Sequence, residues 1–278
     1  MQTLAPSPSS QAWSPRRWRS SLGFVGAYVA LNLSAAMEYR AAFVSQVIGM
    51  ALNDAMMIFF WWLFFRQFPT LGGWTLTDVL RLWGVVAMGY GLGSAVFGQC
   101  LRLSTVIATG QLDYYLALPK DVLLHTLVSR MNTSAWGDVV FGLVAFAAAG
   151  DLTPLSVLLF AVFSVSGCAI FVAYHVLVGS AAFWIGNSEA FSSQASGALI
   201  NLSTYPGSIF RGWIKLVTLF LIPAAMLGHV PVELIRRFDP VAFAAVIAFS
   251  FAISVVSVTV FRIGLRRYES GSLVALRS

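Results

Sequence analysis

The sequence predicts an all-α integral membrane protein with six transmembrane helices, and its composition carries most of this prediction. The 278 residues are 58% hydrophobic and only 10% charged, whereas about a quarter of the residues in a soluble domain are charged. The mean hydropathy is +0.80. Several apolar runs reach the roughly 20 residues that a helix needs to cross the hydrocarbon core. The ten-residue alternation typical of an outer-membrane barrel does not occur in the sequence.

The N-terminal segment divides into a polar tail and a first apolar run. Residues 1–20, whose first part is rich in Ser and Pro, predict a disordered cytoplasmic tail, and residues 21–278 predict a single transmembrane domain. The apolar run follows three arginines and contains Asn32, so it fits either an interfacial helix over residues 21–40 or a cleaved signal peptide. Polar residues beginning at Glu38 lead directly into a longer apolar segment, and this order favours the interfacial helix.

Six apolar segments predict the membrane spans. The second holds the pair Gly89 and Gly93, whose spacing predicts a closely packed neighbour within the chain or in a second subunit. The fifth is interrupted by Pro223, which removes one backbone donor. Residues 190–204 predict an interfacial or packed helix. The predicted spans are about 41–65, 78–100, 134–149, 155–185, 213–227 and 241–261.

The basic residues predict the orientation of these spans. The chain has a net charge of +6, and all but four of its 17 Lys and Arg residues fall in segments assigned to the cytoplasm, the four being Arg66, Arg81, Arg236 and Arg237. This bias favours two cytoplasmic termini and a multi-pass protein of the bacterial inner membrane. The basic charge therefore indicates contact with membrane lipids rather than with nucleic acid.

No motif for catalysis or for cofactor binding occurs in the sequence. The phosphate-binding G-x-x-x-x-G-K-[ST] loop, the zinc-binding H-E-x-x-H motif and the G-x-S-x-G motif are all missing. The two cysteines and three histidines lie in separate segments, without metal-ligand spacing. We therefore expect a chain that is not an enzyme and that holds no catalytic, cofactor or metal site.

Polar residues inside the predicted spans are the candidates for a translocation path. Asp54 lies near the centre of span 1, where an ionised side chain costs about 2.5–3.5 kcal/mol unless protein or water surrounds it. Gln46 and Asn53 share part of its helix face, and His175 in span 4 is a weaker candidate. A structural Asp54, paired with a neighbouring helix, remains the alternative. Asp138 fits a structural role at a helix N-terminus.

A polar stretch at residues 110–120, ending in Pro119 and Lys120, interrupts the apolar pattern between spans 2 and 3. It predicts a short cytoplasmic helix that connects two membrane spans. Because the chain has no nucleotide site, such a helix is a candidate for receiving force from a partner.

The order of these parts, together with short local motifs, resembles the type-2 superfamily of ATP-binding-cassette (ABC) exporter permeases. The likeness is greatest to an uncharacterised bacterial permease branch of that superfamily. Each motif is short, but their order and spacing cover most of the chain after residue 40. The motifs are residues 73–76, Gly-Gln-Leu-Asp at 110–113 with Leu118-Pro119, Ser129-Arg130, Gly137-Asp138, residues 182–186, Tyr205-Pro206 and residues 266–271.

The resemblance implies a permease that pairs with a second permease, homologous or identical, and with two ABC ATPase subunits that bind ATP and Mg. It also implies that residues 110–120 form a coupling helix docked on an ATPase. Its apolar anchors would be Tyr114, Tyr115 and Leu118, with Asp113 and Lys120 at the rim. Two other functions stay open: a proton-coupled secondary transporter using Asp54, and a membrane-embedded lipid-modifying enzyme.

Overall fold

The computed structural model describes residues 15–150, 152–186, 188–210 and 212–268, and within these ranges the chain is helical without strands. The predicted tail lies mostly outside the described residues, and the predicted interfacial helix corresponds to α1. The α-helices are α1 (Pro15–Glu38), α2 (Arg40–Gln67), α3 (Leu76–Phe97), α4 (Leu103–Ala108), α5 (Leu112–Leu116), α6 (Val122–Val128), α7 (Ala135–Ala148), α8 (Pro154–Ser180), α9 (Ala182–Ile185), α10 (Glu189–Ser203), α11 (Trp213–Leu216), α12 (Val230–Arg236) and α13 (Pro240–Leu265).

The long helices form an up-and-down bundle with two distinct ends. We call the end that holds residues 110–120 the loop end, and the end that holds Trp61 and Trp74 the tryptophan end. Helix α2 runs from the loop end to the tryptophan end, and α3 returns. Helices α7 and α8 repeat this pattern, and α13 runs parallel to α8, since Ser250 donates to the Ser166 carbonyl and Phe183 contacts Phe261.

Four stretches of helix are long and apolar enough to cross a membrane: Arg40–Gln67, Leu76–Ala108, Pro154–Ile185 and Pro240–Leu265. Helix α7 is apolar but has only 14 residues, a length of about 21 Å at 1.5 Å per residue, against a hydrocarbon core of about 30 Å. The protein is thus a helical, multi-pass membrane protein. The second span is longer than predicted, because a 3₁₀ turn at Gly98–Arg102 leads into α4 rather than ending the helix near Cys100.

Helix α3 is the centre of the bundle, and its glycines let two neighbours approach closely. In the most apolar part of the stretch Leu76–Ala108, 67% of the residues are buried within the protein. The corresponding share is 11% for α2 and 17% for α13. A Cβ atom at Gly89 would lie 3.2 Å from the Gly167 backbone of α8, and one at Gly93 would lie 2.6 Å from the Phe171 ring. The close neighbour expected from the Gly89 and Gly93 spacing is therefore α8 of the same chain.

The predicted fifth span at residues 213–227 is wrong. This stretch is a short helix, α11, followed by π-helical turns at Val217–Leu221 and Ala225–His229 with Pro223 between them. Proline has no N–H to donate and its ring collides with the preceding turn, so it kinks or breaks a helix, and here the regular helix is broken on both sides of Pro223. Both ends of the segment lie at the tryptophan end, where Ser208 donates to the Leu71 carbonyl and Arg236 donates to the Gly73 carbonyl.

Residues 207–236 therefore enter and leave the bundle at the same end, and we call them the re-entrant segment. Irregular backbone at this depth is tolerated where neighbouring helices bury it. Helix α11 belongs to the re-entrant segment and contains Lys215, one of the basic residues that the charge pattern assigned to the cytoplasmic side. Arg211, assigned in the same way, lies outside the described residues.

Helix α10 crosses the bundle where the sequence predicted an interfacial or packed helix at residues 190–204. It begins at Glu189, beyond α9 at the loop end, and has 15 residues. At mid-depth the Tyr174 hydroxyl donates to the Ala195 carbonyl at 3.3 Å. Just beyond its C-terminus, the Tyr205 ring packs edge-on to Trp61, with 6.0 Å between ring centroids. The helix thus reaches from the loop end to the tryptophan end.

Candidate functional site

A cavity of about 420 Å³ opens between α2, α3, α7, α8 and α10. Its walls hold two carboxyl groups and many aromatic side chains. These side chains come from positions spread over more than 150 residues of the sequence. The lining residues are Met50, Asn53, Asp54, Met57, Phe60, Trp61, Trp83, Val86, Ala87, Tyr90, Asp138, Phe171, Leu199, Ile200, Asn201, Ser203, Thr204, Tyr205 and Leu227.

Asp54 of α2 and Asp138 of α7 are the two carboxyl groups that line this cavity. Both are buried, with 4% and 3% of their surface exposed. The Oδ2 atom of each carboxyl group has no hydrogen-bond partner among the described residues. An ionised carboxylate only accepts hydrogen bonds, so two adjacent carboxyl groups can bond to each other only when at least one of them carries a proton. Such a pair therefore carries at most one negative charge.

The close approach of α7 to α2 brings the two carboxyl groups together. Asp138 lies in the first turn of α7, where the helix dipole favours a negative charge. Gly137, the residue before it, faces α2, and a Cβ atom there would collide with the Val47 carbonyl oxygen and lie 2.7 Å from the Met50 side chain. The absence of a side chain at Gly137 therefore allows Asp138 to reach Asp54.

The predicted path residues separate into two groups. Asn53 and Asp54 line the cavity. Gln46, two helical turns before them, lies instead at the exposed loop end, where Thr133 donates to its side chain. His175 is buried behind the cavity wall, with its ring 4.1 Å from the Phe171 ring and Nδ1 donating to the Phe171 carbonyl at 2.8 Å.

Sequence reasoning gave Asp138 only a structural role and missed the contribution of α10. The sequence shows that Gly137, a small residue, precedes the carboxyl group of Asp138. A single sequence does not show that α7 packs against α2, so the contact between the two helices could not be predicted. Asn201 and Tyr205 were not predicted to line a path, because residues 190–204 were predicted as an interfacial or packed helix outside the spans.

Residues 110–120 include a helix, α5, of five residues. Tyr114 is 67% exposed and Leu116 is 45% exposed, so these two side chains present an apolar surface to the outside. Tyr115 turns inward instead, donating from its hydroxyl to Ser129 at 2.9 Å and packing on the His125 ring. Leu118 and Asp113 are half-buried, and Lys120 is exposed.

Two other elements hold this loop in place. From α1, the Tyr28 hydroxyl and the His125 Nε2 atom are 2.6 Å apart, and the Phe24 ring lies against Lys120 at 5.4 Å. From the end of α13, Tyr268 lies beside Asp113. Burial, together with the Asp113 carboxylate, raises the pKa of Tyr268 to about 12. The loop is thus joined to α1 and to the final helix as well as to α3 and α7.

The tryptophan end is closed by a group of ionic and aromatic contacts. Asp78 accepts from the Thr75 backbone and hydroxyl as part of a capping box. It also pairs at 3.4 Å with Arg81 and at 3.4 Å with Arg236 of α12. Arg81 thus helps to neutralise this buried carboxylate. The His229 ring stacks on Trp74, with centroids 5.3 Å apart.

Comparison with known protein families decides the identity of this bundle. A family model described as "ABC-2 family transporter protein" matches residues 51–272. The chain belongs to the ABC-2 transporter family. The match confirms the resemblance drawn from the sequence motifs, and it runs from the middle of α2 to beyond α13, so it includes the cavity, the loop and the re-entrant segment. No curated protein and no solved structure matches the chain significantly.

Membership of the ABC-2 family makes this protein a membrane permease of an ABC system and implies association with ABC ATPase partners. The loop is suited to contact with another subunit because it presents exposed apolar side chains. The cavity is suited to binding a small molecule because its volume lies within the roughly 300–1,000 Å³ typical of ligand sites.

Proposed function

We propose that this chain is the transmembrane subunit of an ATP-driven exporter, that it forms half of a translocation path, and that two separate ATPase subunits drive it. The family match over residues 51–272 is the observation that carries the proposal. The second half of the path would come from another permease, homologous or identical. Helix α2 is the best candidate for that contact, because only 11% of the residues in its most apolar part are buried within the chain.

In this proposal the chain crosses the bacterial inner membrane six times, and α10 replaces the segment predicted as the fifth span. The loop end and both termini face the cytoplasm, and the re-entrant segment faces outside. Helices α7 and α10 have 14 and 15 residues, each shorter than the hydrocarbon core. Their neighbours α3 and α8 cover them, and the bilayer can thin locally around short helices at a modest cost.

The exposed side of residues 110–120 is the proposed ATPase contact. Tyr114 and Leu116 take the role of apolar anchors, because both side chains point away from the bundle. Tyr115 and Leu118 hold the loop to the bundle, and Asp113 and Lys120 connect it to α13 and α1. A push on α5 is therefore passed on to α1 and α13 as well as to α3 and α7.

The test is purification of the protein after gentle solubilisation from its native membrane. We expect a subunit with a phosphate-binding G-x-x-x-x-G-K-[ST] loop to accompany the chain, and vanadate to inhibit ATP hydrolysis by the complex. Recovery of the chain without such a subunit, together with transport that vanadate does not affect, would contradict the proposal.

A second candidate, proton-coupled secondary transport, draws support from the carboxyl pair. Asp54 and Asp138 are both buried in the wall of one cavity within the membrane helices, and buried acids of this kind often serve as proton relays. The two mechanisms separate in sealed vesicles. An ATP-driven exporter works with ATP in the absence of a pH gradient, whereas a proton-coupled transporter works with a pH gradient in the absence of ATP.

A further inference from the structure

The cavity combines two carboxyl groups with an aromatic wall, and these two features recognise the same kind of ligand. The carboxyl groups are those of Asp54 and Asp138, each almost fully buried and each with one oxygen that has no hydrogen-bond partner among the described residues. Taking a charge out of water is costly unless another charge compensates it. A cation in the cavity would supply this compensation.

The wall is suited to holding a cation that is itself apolar. Six aromatic side chains and two methionines line the cavity, namely Phe60, Trp61, Trp83, Tyr90, Phe171, Tyr205, Met50 and Met57. The faces of aromatic rings carry negative charge and attract cations, most strongly for Trp and where water is excluded. Methionine side chains adapt their shape to different ligands.

These walls favour an organic cation over a metal ion. A hard cation such as Ca²⁺ takes six to eight oxygen ligands, whereas most of the side chains around the carboxyl pair are carbon and sulfur surfaces. An alkyl or aryl ammonium needs one negative charge for its head group and apolar contact for its body. A cavity of about 420 Å³ has room for a ligand of that size.

We propose that the cavity between α2, α3, α7, α8 and α10 binds an amphiphilic organic cation. The positive head group lies against the Asp54 and Asp138 pair, and the apolar body lies against Trp61, Trp83 and Phe171. This inference deepens the proposed function by naming a substrate class. Binding itself requires neither ATP nor an ATPase, so its failure would leave the ATP-driven mechanism standing.

The test uses two ions of the same shape and opposite charge, tetraphenylphosphonium and tetraphenylborate. Their binding to the purified full-length protein is measured by equilibrium dialysis in detergent. The isosteric double variant Asp54→Asn with Asp138→Asn keeps the volume of the site and removes its charge. We expect the variant to bind the cation about tenfold more weakly or worse, which corresponds to about 1.4 kcal/mol. We expect it to bind the anion at least as well as the wild type does.

The comparison within each ion removes the contribution of the detergent micelle, which is the same for both proteins. Glu38→Gln makes the same kind of change at an exposed carboxyl group of α1 and should leave both affinities unchanged. If the double variant does not fold, the single variant Asp54→Asn is compared with the wild type for each ion in the same way, and an unchanged affinity of that variant for the cation would overturn the proposal. Equal affinity of the double variant and the wild type for the cation would overturn the proposal, as would an equal effect of Glu38→Gln.

Discussion

The Asp54 and Asp138 pair shows how two unfavourable residues become compatible with a membrane interior. Each carboxyl group alone would be a buried polar group without a partner. Side by side they can share a proton, which satisfies part of their hydrogen-bonding capacity and leaves at most one charge to be buried instead of two. The alternative left open by the sequence, a structural Asp54 paired with a neighbouring helix, therefore describes part of the site, and the cavity beside the pair supplies the rest.

This arrangement predicts that single and double apolar substitutions will not add. Asp54→Leu leaves the Asp138 carboxyl group buried without its partner, which costs about 1–3 kcal/mol. Asp138→Leu does the same to Asp54. The double variant removes both groups and should be destabilised by less than the sum of the two single variants. Unfolding by denaturing detergent measures the three free energies, and a simple sum would contradict the predicted coupling.

His125 predicts an acid-sensitive contact between α1 and the loop. Its ring lies between Phe24 and Tyr28 of α1 and Tyr115 of α5, and Lys120 is close by. Burial lowers its pKa, so the folded protein favours the neutral ring. The stabilisation is present above the ordinary pKa of histidine, about 6.5, and is lost as the pH falls through the lowered value.

We therefore expect α1 to loosen on acidification. Hydrogen exchange of the α1 amides should be faster at about pH 5 than at about pH 7.5, once the intrinsic pH dependence of exchange is removed. In His125→Gln the corrected exchange should not depend on pH. A wild-type protein with the same corrected protection at both pH values would contradict this account.

At the scale of elements, the glycines of α3 set how closely the bundle packs. Gly91 has the tightest backbone contacts, since a Cβ atom there would lie 2.8 Å from the Val139 amide nitrogen and 2.9 Å from the Ala135 carbonyl oxygen. Helix α7 must move for any side chain to fit. Because α7 also holds Asp138, the packing of α3 determines the geometry of the carboxyl pair.

Gly91→Ala should accordingly destabilise the protein by about 1–3 kcal/mol, the usual cost of overpacking. Gly49→Ala is the matched control, because Gly49 is also inside a membrane helix and a Cβ atom there meets nothing within 4 Å. Alanine is a better helix former than glycine, so the control should be neutral or slightly stabilising. Thermal unfolding of both variants in detergent tests the pair, and equal melting temperatures would refute the argument.

The loop and the re-entrant segment differ in how well the sequence predicted them. The loop was visible because polar residues and Pro119 interrupt a long apolar pattern. Which of its tyrosines points outward was not visible, since Tyr115 turns inward through contacts with Ser129 and His125. The re-entrant segment was mistaken for a span because its composition is apolar, and composition does not distinguish a segment that crosses from one that returns.

For the whole molecule, the sequence predicted a helical membrane protein and its family, because apolar length and local motifs are written directly in the chain. It did not predict the cavity, because this site depends on which helices are neighbours. Gly137 against Val47 and Gly89 against Gly167 are the contacts that settle those neighbours, and each joins residues that are distant in sequence. The proposed substrate class therefore rests on the packing of the helices and could not be inferred from the sequence.

The arrangement of the chain in the membrane can be read with cysteine labelling. Ile209 is 47% exposed and Phe238 is 45% exposed; Ile209 lies near the start of the re-entrant segment, and Phe238 lies just beyond its end. In a background of Cys100→Ala and Cys168→Ala, we expect an impermeant maleimide added to intact cells to label both Ile209→Cys and Phe238→Cys, but not Tyr114→Cys. If only one of the first two variants is labelled, the chain crosses the membrane between these positions, as the sequence predicted for residues 213–227.

The central claim is that an ATPase acts on this permease through the exposed face of residues 110–120. The most direct measurement is the amount of ATPase subunit that purifies with Tyr114→Asp. Leu152→Asp serves as the control, because Leu152 is 57% exposed at the opposite end of the bundle. We predict that Tyr114→Asp loses the ATPase subunit and the vanadate-sensitive ATP hydrolysis while the permease stays folded, and that Leu152→Asp keeps both. An ATPase subunit retained equally by the two variants, with unchanged hydrolysis, would contradict the claim.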